Sequence, residues 1–593
     1  MYKKRAKGYS AYPMKAFFFD ARDGVWIEYL DPVRIYESET ADSLMDAIRE
    51  IDRRTSIEGL YAAGWIAYEA SPAFDGKLTV KDCGNEGKDS FRFALFANRR
   101  TAVDLNALID PKEEATWSVS PFVSRISRDS YLANVSKIRE YLAQGETYQI
   151  NYTFRLEARF SGSAFAWFRS VASRNPGKYL AYLETEHTAI CSFSPELFFE
   201  RRGDLITLKP MKGTIPTPEG NPETACGALR ASAKNRAENL MIVDMIRNDV
   251  GRVADTGTVE VPSLFDTEVY PTVIQMTSTV QARVRAPIAE TLEAIFPCAS
   301  ITGAPKRRSM EIIAELEENE RGIYTGAIGR ISPDGSCDFS VAIRTATLDR
   351  RTGIMRYGTG SGIVWASSAE DEWEECMAKT AILRETEPFH VFESLLIEEG
   401  TAILEKRHLA RFERSCAFFG IAGEKGMLAK FWDDTLARLC SQNPHGRCKV
   451  KITFDGTTPL LAGFAPAGSM PSPYRIALAT SRVDRADPFI GHKTNRRRHV
   501  DKALAEASGV DDVILVNTQG ELTETTRGNL ALEIDGKLYT PPTSSGLLPG
   551  VWRESLLETG VIEERTLYPE DLANAKRILM LNSVRRSVEC VIA

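Results

Sequence analysis

Residues 237–244 of this chain of 593 residues read Ala-Glu-Asn-Leu-Met-Ile-Val-Asp, and they begin a run that is helical in character up to Met245. At about 3.6 residues per turn, Glu238 shares a helix face with Ile242 and Met245. A carboxylate on an apolar face is costly unless it is paired or bound to a cation. The sequence leaves two interpretations open, which are a salt bridge to Lys234 one turn earlier and a ligand to a cation.

A second acidic helix is predicted over residues 370–384. Glu372, Glu375 and Lys379 stand at i, i+3 and i+7, so two carboxylates and an amine share one face. Glu375 and Lys379 also form an ordinary i,i+4 surface pair, which is the simpler interpretation. Two helices that each present a glutamate would suit Mg²⁺, which takes one or two protein carboxylates and otherwise binds substrate oxygens and water.

Three further segments favour contact with an anionic or reactive ligand. Residues 300–306 read Ser-Ile-Thr-Gly-Ala-Pro-Lys, and Pro305 is predicted at the first position of a helix whose free N–H groups face a ligand. Residues 358–362 read Gly-Thr-Gly-Ser-Gly, which allows close backbone approach. Lys212 lies in a non-helical turn punctuated by proline and glycine, where a lysine is usually in solvent. If it were buried, its pKa would fall and it could act as a nucleophile.

Composition excludes several function classes. Lys plus Arg number 74 against 81 Asp plus Glu, a net charge of -7 that argues against nucleic-acid or anionic-membrane binding. No signal peptide and no membrane span are predicted. Ten cysteines without a CxxC pair predict reduced thiols in a cytoplasmic protein. Of six histidines only His187 precedes residue 390, so acid–base chemistry there is expected from carboxylates, lysines or tyrosines.

The character of the sequence changes near residues 385–388, where the acidic helix ends and a strand-like run over 389–397 begins. We therefore predict two modules, residues 1–388 and 389–593, each long enough to form its own core. In the first module short β-rich runs alternate with helices, one of them over residues 129–144 with Gly145 at its C-terminal cap.

Six motifs of the first module occur in an order that resembles the chorismate-utilising enzymes. They are residues 210–214, 237–249, 301–306, 342–345, 360–364 and 372–379. The resemblance is strong over residues 120–385 and weak before them. It implies an α/β fold with large antiparallel sheets that binds chorismate, a dicarboxylate.

The resemblance also implies roles for single residues. Glu238 and Glu375 match the Mg²⁺ ligands that hold the ring carboxylate of the substrate. Tyr324 and Arg344 match residues that grip the enolpyruvyl carboxylate. The residues expected to bind the substrate are Ser300, Thr302, Gly303, Tyr324, Arg344, Gly362 and Lys379.

Lys212 separates the reactions of this family. Anthranilate and isochorismate synthases carry alanine at the matching position, whereas aminodeoxychorismate synthases carry a lysine that attacks ring C2 as the C4 hydroxyl leaves. Lys212 therefore implies an amino group para to the carboxylate. Ile215 and Thr217 replace the usual arginines, and Gln275 stands where many relatives have histidine, so the group that assists departure of the hydroxyl is left open. No glutaminase set is present, so the resemblance implies ammonia from solution or from a separate glutamine amidotransferase subunit.

Segments of the second module resemble the family of branched-chain aminotransferases and aminodeoxychorismate lyases, which bind pyridoxal phosphate in a two-subdomain fold type IV. They are residues 404–412, 491–496, 512–530, 547–553 and 582–585. Taken singly, Arg411 and Lys493 would be surface cations and Glu524 a solvated residue.

Within that family Lys493 forms the Schiff base, and Glu524 pairs with the pyridinium nitrogen so that the ring acts as an electron sink. Arg411 grips the cofactor phosphate, and backbone N–H groups of Val551 and Trp552 at a helix start bind the same phosphate. Ser394 is a candidate hydroxyl on the substrate side.

The combined expectation is a bifunctional enzyme of folate synthesis that aminates chorismate at C4 and then eliminates pyruvate to give 4-aminobenzoate, with Mg²⁺ and pyridoxal phosphate as cofactors. Two alternatives stay open. One is an anthranilate synthase joined to an unrelated transaminase, in which Lys212→Ala leaves the first reaction intact. In the other, one module is a degenerate regulatory or binding domain. A homodimer through the C-terminal module is allowed by the resemblance, and the sequence itself fixes no oligomeric state.

Overall fold

The computed structural model describes residues 14–38, 41–81, 90–108, 117–175, 177–217, 221–270, 273–383, 389–421, 427–456, 461–468 and 470–593. The chain forms two compact units. The first comprises Met1–Ala115, Ser124–Glu157 and Ser163–Arg384, and the second comprises Thr116–Val123, Ala158–Gly162 and Glu385–Ala593. The sequence did not predict that two short segments of its first half belong to the second unit. The predicted boundary at residue 388 lies outside the described residues.

The strands in the first two thirds of the chain are β1 (Lys15–Asp20), β2 (Val25–Glu37), β3 (Tyr61–Ile66), β4 (Phe91–Ala102), β5 (Trp117–Val119), β6 (Val123–Ser124), β7 (Gln149–Gly162), β8 (Tyr179–Glu184), β9 (Thr188–Ser194), β10 (Leu197–Arg202), β11 (Leu205–Lys209), β12 (Met211–Pro216), β13 (Glu260–Val269), β14 (Val273–Arg283), β15 (Gly303–Ala304), β16 (Ala327–Ile331), β17 (Cys337–Val341), β18 (Thr345–Asp349) and β19 (Ile354–Ile363). The helices there are α1 (Ala41–Glu58), α2 (Ser71–Phe74), α3 (Arg128–Ala143), α4 (Ala164–Arg174), α5 (Glu223–Ala231), α6 (Ala233–Gly251), α7 (Ile288–Ile295), α8 (Lys306–Leu316) and α9 (Ala369–Lys379).

Antiparallel pairs link fourteen of these strands in the order β13-β14-β11-β10-β17-β16-β3-β4-β2-β1-β8-β9-β18-β19. The predicted large antiparallel sheets are therefore confirmed. Apolar faces of α1, α6 and α7 pack into one core with residues of β10, β14 and β17. Phe199 and Phe339 stack across β10 and β17 with ring centroids 4.8 Å apart, an arrangement that fills the core and fixes strand register.

The second unit adds β20 (Val391–Glu398), β21 (Thr401–Ala402), β22 (Arg447–Phe454), β23 (Leu461–Pro466), β24 (Tyr474–Val483), β25 (Asp512–Asn517), β26 (Leu522–Thr525), β27 (Asn529–Ile534), β28 (Lys537–Thr540), β29 (Glu563–Glu564), β30 (Arg577–Asn582) and β31 (Arg586–Ile592). Its helices are α10 (Glu405–Phe418), α11 (Met427–Gln442), α12 (Arg498–Ala505), α13 (Val551–Glu558) and α14 (Asp571–Asn574). A four-stranded sheet of order β21-β20-β22-β23 and an eight-stranded sheet of order β26-β25-β24-β31-β30-β27-β28-β29 form separate layers with separate cores. This confirms the predicted two subdomains.

Several local predictions hold, and others need correction. Helix α3 begins one residue early because Ser127 caps it by accepting from Ser130 N at 3.1 Å, and Gly145 follows its end with a φ of +75°. Helix α9 ends at Lys379, not at residue 384, and continues only as a 3-10 turn. Pro305 is the cap before α8 and not its first residue.

The predicted turn at Lys212 is wrong. Residues 211–216 form β12, which pairs with β14, and the register shifts between Met211 and Thr214. Lys212 and Gly213 therefore lie in a bulge, where Gly213 adopts a φ of +90° that a residue with a Cβ rarely takes. The proline and glycine that suggested a turn mark this irregular strand.

Two findings concern the predictions about membrane spans and cysteines. No helix within the described ranges is both long and apolar enough to cross a membrane. The nine cysteines in the described part of the chain are free thiols.

Candidate active sites

Lys212 lies at the centre of the first site. Its Nζ donates to the carbonyl oxygen of Ser300 at 3.0 Å and lies 3.3 Å from the point that a Cβ on Gly362 would occupy. Burial lowers the pKa of Lys212, although the carboxylates of Glu238 and Glu196 raise it in part. A larger share of this amine is therefore neutral than in a lysine exposed to water, as a nucleophile requires.

Glu196 is a second titratable group of this site, and the sequence analysis did not single it out. It follows β9, its residue is 4% exposed, and its Oε1 has no hydrogen-bond partner among the described residues. Burial raises the pKa of Glu196 to about 7, against the lowering influence of the Ser300 hydroxyl and the Lys212 ammonium. The signal in the sequence was a lone glutamate in the apolar run 189–199, where a carboxylate needs a partner or a function.

Gln149 faces the same place from the start of β7. Its Nε2 lies 2.5 Å from the Cβ position at Gly362, so any side chain there would collide with the amide. Gln149 is 1% exposed, and its Oε1 is without a partner among the described groups. Gly362 therefore lets an amide and an amine approach one strand, which is the close approach that the glycine cluster predicted.

The two predicted magnesium ligands come from α6 and α9. The Glu238 side chain is 15% exposed and the Lys234 ammonium is 4.0 Å away and 54% exposed, so the alternative salt bridge is present only in loose form. Burial raises the pKa of Glu238, and the nearby carboxylates of Glu372 and Glu375 add to that rise.

Carboxylates from both helices thus lie close enough to repel each other, and a divalent cation would relieve that repulsion. This donor set fits Mg²⁺. Within the described residues no group of three or more His, Cys, Asp or Glu could hold a metal by itself, so substrate and water would have to supply the remaining ligands.

Glu375 also forms the surface pair that the sequence offered as an alternative. Its side chain is 52% exposed, and its Oε1 lies 2.7 Å from Lys379 Nζ. Burial alone would raise the pKa of Glu375, but the Lys379 ammonium holds it below its usual value. Lys379 Nζ donates as well to the carbonyl of Gly360 at 2.8 Å, which ties the end of α9 to the glycine-rich strand β19.

Three more residues that were expected to bind the substrate, Thr302, Gly303 and Arg344, lie in a turn, in a short strand and before a strand. Thr302 donates its hydroxyl to the carbonyls of Cys298 and Ala299 at 3.3 and 3.2 Å, within its own turn. A Cβ on Gly303 would lie 2.1 Å from the Gln149 carbonyl, so this glycine allows β15 to pack on β7. Arg344 has a φ of +48° and precedes β18.

Tyr324 packs on strand β19, which also carries Gly362. Its ring fills the space left by Gly358, where a Cβ would be 2.2 Å from the ring. It lines a cavity of about 720 Å³, and among the described residues of that lining it is the one predicted substrate-binding residue. Its role toward the enolpyruvyl carboxylate stays a prediction.

The second site is a cavity of about 430 Å³ whose lining includes Ser394, Arg411, Lys493, Glu524 and Val551. Burial, and then the Arg411 charge, lower the pKa of Lys493 to about 8. Burial raises the pKa of Glu524 to about 7. The Glu524 carboxylate accepts from the Leu548 N–H at 3.1 Å and from Asn529 Nδ2 at 3.2 Å, so its orientation is fixed.

Arg411 is buried, and its interpretation as a surface cation is wrong. Its side chain is 5% exposed and binds Glu393, which is 1% exposed, through two hydrogen bonds of 2.7 and 2.8 Å. His408 Nδ1 lies 2.8 Å from the same carboxylate. Burial alone would raise the pKa of Glu393, but Arg411 and His408 hold it well below its ordinary value. Glu393 and His408 were not predicted, since only the fold brings them together.

The start of α13 lies next to this arginine. Arg411 donates to the Pro549 carbonyl at 2.9 Å, and Gly550 caps the helix. Val551 lines the cavity, whereas the Trp552 ring packs against an apolar cluster, so only its backbone N–H can serve a phosphate. A lysine with a lowered pKa, a fixed carboxylate, and an arginine beside a helix start fit pyridoxal phosphate.

Comparison with known proteins finds a family model for each of the two units. A family model described as chorismate binding enzyme matches residues 14–385, and one described as class IV amino-transferase matches residues 390–591. Aminodeoxychorismate synthase of Streptomyces griseus is 35% identical over 368 residues, which cover 54% of this chain and 50% of that one. Aminodeoxychorismate synthase component 1 of Escherichia coli (strain K12) is 39% identical over 295 residues, which cover 49% of this chain and 64% of that one. The chain thus spans between half and two thirds of the length of these relatives.

A solved structure supports the fold of the first unit. The crystal structure of anthranilate synthase component I from Streptococcus pneumoniae TIGR4 aligns with a TM-score of 0.52 and 22% identity, and covers 65% of this chain and 95% of that one. At this identity the likeness concerns the fold and not the reaction.

Proposed function

Because the chain belongs to the family of chorismate binding enzymes, we propose that it makes 4-aminobenzoate in two steps. In the first unit ammonia replaces the C4 hydroxyl of chorismate. In the second unit pyruvate is eliminated from the resulting 4-amino-4-deoxychorismate. The observation that carries the proposal is the Lys212 amine, which has a lowered pKa and lies beside Gly362 and the Ser300 carbonyl.

Lys212 is the nucleophile of the first step. Its neutral amine attacks ring C2, the two ring double bonds shift, and the C4–O bond breaks. Glu196, with a pKa of about 7, gives its proton to the departing oxygen, which leaves as water. Ammonia then attacks C4, the double bonds shift back, and the C2–N bond to Lys212 breaks. The new ammonium group at C4 returns a proton to Glu196, so the balance is chorismate plus ammonia to aminodeoxychorismate plus water.

Glu238 and Glu375 would hold Mg²⁺ at this site. The metal would neutralise the ring carboxylate of chorismate, which otherwise would face the carboxylates of α6 and α9. Lys379 is fixed by Glu375 and the Gly360 carbonyl, and it adds positive charge on the same side. These groups bind and orient the substrate and do not exchange protons with it.

Lys493 is the base of the second step. With a pKa of about 8, its amine removes the C4 proton, the C3–O bond breaks, and the same proton passes to the enolpyruvyl carbon to give pyruvate. The double bond formed between C3 and C4 completes the aromatic ring. Bound pyridoxal phosphate supplies an electron sink for the pair released at C4. Arg411 and the start of α13 would hold the phosphate of this cofactor, and Glu524 would face its ring nitrogen.

Ammonia is proposed to come from a separate glutamine amidotransferase subunit, because a relative of this chain is named component 1 of its synthase. The cytoplasmic location and a homodimer through the second unit also belong to the proposal. The free cysteines of the described part are compatible with a reducing compartment.

The first step is tested with Lys212→Ala. Purified protein is given chorismate, ammonium and Mg²⁺, and the products are separated by chromatography. We expect the variant to lose more than about 99% of its para-aminated product because no other amine replaces the nucleophile. The matched control is Lys137→Ala, on the exposed face of α3, which should retain wild-type rates. Normal turnover by Lys212→Ala, or anthranilate as the product of wild type, would refute the proposal and favour an anthranilate synthase.

A further inference from the structure

Lys493 lies in an irregular connection of the second unit. Residues 484–497, all of them described, join β24 to α12 through turns and an isolated bridge, without a helix or strand of their own. The shape of such a connection depends on its contacts with the rest of the protein. The Lys493 carbonyl accepts from the Phe392 N–H at 2.9 Å, which holds the backbone at this point. The position of the Lys493 amine therefore also depends on what fixes the connection on either side.

Two short segments from the first half of the chain belong to the second unit. They are Thr116–Val123 and Ala158–Gly162, and we call their described residues the arm. Within the arm β5 pairs antiparallel with the end of β7. The Ser120 N–H donates to the Arg159 carbonyl at 2.9 Å, and the Arg159 N–H donates to the Ser120 hydroxyl oxygen at 2.9 Å. The arm is thus a hydrogen-bonded ribbon of fixed register, and it lies outside residues 390–591, which match the class IV family model.

The arm holds Asp487, near the start of the connection. The Asp487 Oδ1 accepts from the Ser118 hydroxyl at 2.9 Å and from the Phe489 N–H at 2.9 Å. The Asp487 side chain is 13% exposed, so these hydrogen bonds satisfy a carboxylate that is largely removed from water. Its Oδ2 lies 3.6 Å from His499 Nδ1, beyond hydrogen-bond distance, and His499 lines the cavity of the second site. One carboxylate therefore joins the arm to the turn before Lys493 and lies beside the cavity wall.

The arm also contacts the helix that follows Lys493. The Arg498 guanidinium lies over the Trp117 ring, with its Cζ 4.2 Å from the ring centroid. At this distance a cation is attracted to the face of an aromatic ring. Arg498 is the first residue of α12, so this stack fixes the end of the connection. Contacts with the arm therefore lie on both sides of Lys493 along the chain.

A third contact reaches the residue before Lys493 through α10. The Arg159 guanidinium lies over the Phe418 ring, with its Cζ 5.0 Å from the ring centroid. Phe418 in turn stacks on His492 with ring centroids 4.2 Å apart, and His492 Nδ1 lies 3.0 Å from the Ser415 hydroxyl oxygen. Because Phe418 is 39% exposed, core packing alone does not fix its ring, and the cation above it limits its motion. The arm thus supports the ring against which His492 packs.

We propose that the arm is part of the pyridoxal-phosphate site and holds the connection so that the Lys493 amine is already in place for the cofactor. The inference rests on the proposed function, which assigns Lys493 to the cofactor. A connection that is fixed before binding loses less conformational entropy when the cofactor binds, so the affinity is higher. Four residues are positioning residues, since they act through the connection rather than from the cavity wall. They are Trp117, Ser118, Arg159 and Asp487.

The arm is tested in the full-length protein with Ser118→Ala. Pyridoxal phosphate is titrated into the apoprotein, and its binding is followed by visible absorbance. We expect Ser118→Ala to weaken binding about three- to tenfold, because the lost hydrogen bond goes to a carboxylate. Ser118→Thr restores the hydroxyl and should bind as wild type, and Trp117→Leu should weaken binding by a similar factor. The control is Ser136→Ala on the exposed face of α3, where the hydroxyl donates to the carbonyl of its own helix at 3.1 Å.

Two further measurements separate positioning from general stabilisation of the fold. When Asp487→Ala is already present, Ser118→Ala should have no further effect on cofactor affinity, because both residues act through one hydrogen bond. The urea midpoint of the second unit is measured for each variant. Variants that unfold at lower urea but bind the cofactor as wild type would show that the arm only stabilises the fold, and would overturn the proposal. Unchanged affinity in both Ser118→Ala and Trp117→Leu would overturn it as well.

The failure of this inference differs from the failure of the proposed function, because cofactor binding does not depend on turnover. A wild-type protein that binds pyridoxal phosphate but forms no 4-aminobenzoate would contradict the proposed lyase reaction and leave the role of the arm standing. A wild-type protein that binds no pyridoxal phosphate would overturn both.

Discussion

Burial moves the pKa values of Lys212 and Glu196 in opposite directions, downward for the amine and upward to about 7 for the carboxyl. The nucleophile is therefore more often neutral, and the acid more often protonated, than the same groups in water. Each change favours the proposed C4 substitution, which needs a free amine and a proton for the departing oxygen. This pair of oppositely shifted groups is the centre of the first candidate site.

Glu196 gives a pH dependence whose sign follows from its role. The proton donor must be protonated, so the protonated fraction and kcat fall as pH rises through about 7. Glu196→Gln should lower kcat for amination by about 10² to 10⁴-fold and remove this limb, because an amide donates no proton. The measurement is kcat against pH at a fixed concentration of free ammonia. Glu200→Gln, on β10 and in a surface pair with Arg22, is the control, and a Glu196→Gln rate within twofold of wild type would contradict the role.

Some site residues could be found from the sequence and others could not. Lys212, Glu238 and Lys379 stand in motifs whose order along the chain carries the resemblance. Gln149 and Glu393 lie outside the motifs that carry the resemblance, and only tertiary pairing brings them to Gly362 and Arg411. Residues that stand in a sequence motif could therefore be predicted. Residues that meet only through contacts between distant parts of the chain could not.

Strand β20 and helix α10 hold Arg411 in place at the second candidate site. Strand β20 presents Glu393 and helix α10 presents His408 and Arg411, and all three side chains are buried against one another. The strand was predicted from the sequence, but its side-chain contact with α10 was not. The bulge in β12 shows the same limit, since the proline and glycine around Lys212 suit a turn as well as an irregular strand.

Replacing Glu393 tests how much its contact with Arg411 stabilises the second unit. Glu393→Gln leaves Arg411 buried without a counter-charge, so we expect the free energy of unfolding of the second unit to fall by about 3–5 kcal/mol. The pKa of Glu393 is depressed in the folded state, so its contribution is complete above the ordinary pKa of a glutamate and declines progressively as pH falls from that value toward the folded-state pKa. Urea denaturation at pH 7 and at pH 4 measures both effects.

The control for this variant is Glu398→Gln on the same strand, where the glutamate pairs with Arg586 and Arg447 at the surface. This substitution should lower the free energy of unfolding by no more than about 1 kcal/mol. Equal stabilities of the two variants at pH 7 would contradict a supporting role for Glu393.

The two units have separate cores, and each contains one of the two candidate sites. Both fold classes follow from the sequence, because ordered motifs mark each one. The sequence did not indicate that Thr116–Val123 and Ala158–Gly162 belong to the second unit. These short segments carry no motif, and only long-range contacts place them there.

Removal of metal should separate the two sites. A chelator in excess is expected to lower amination of chorismate by more than about tenfold, because Glu238 and Glu375 would then repel the substrate carboxylate. Conversion of supplied 4-amino-4-deoxychorismate to 4-aminobenzoate should not change, since both proposed metal ligands belong to the first unit. The two rates are measured in parallel, and Mg²⁺ should restore the first. Equal loss of both activities would mean that the metal supports the fold or the second reaction.

In the proposed function one chain carries out consecutive steps to 4-aminobenzoate. The most direct measurement is chromatography of the products after incubation of the purified protein with chorismate, ammonium, Mg²⁺ and pyridoxal phosphate. We expect 4-aminobenzoate and pyruvate in equal amounts, and accumulation of 4-amino-4-deoxychorismate when Lys493 is replaced by alanine. Anthranilate as the product would contradict the role of Lys212, and an amino-chorismate that never becomes aromatic in wild type would contradict the role of the second unit.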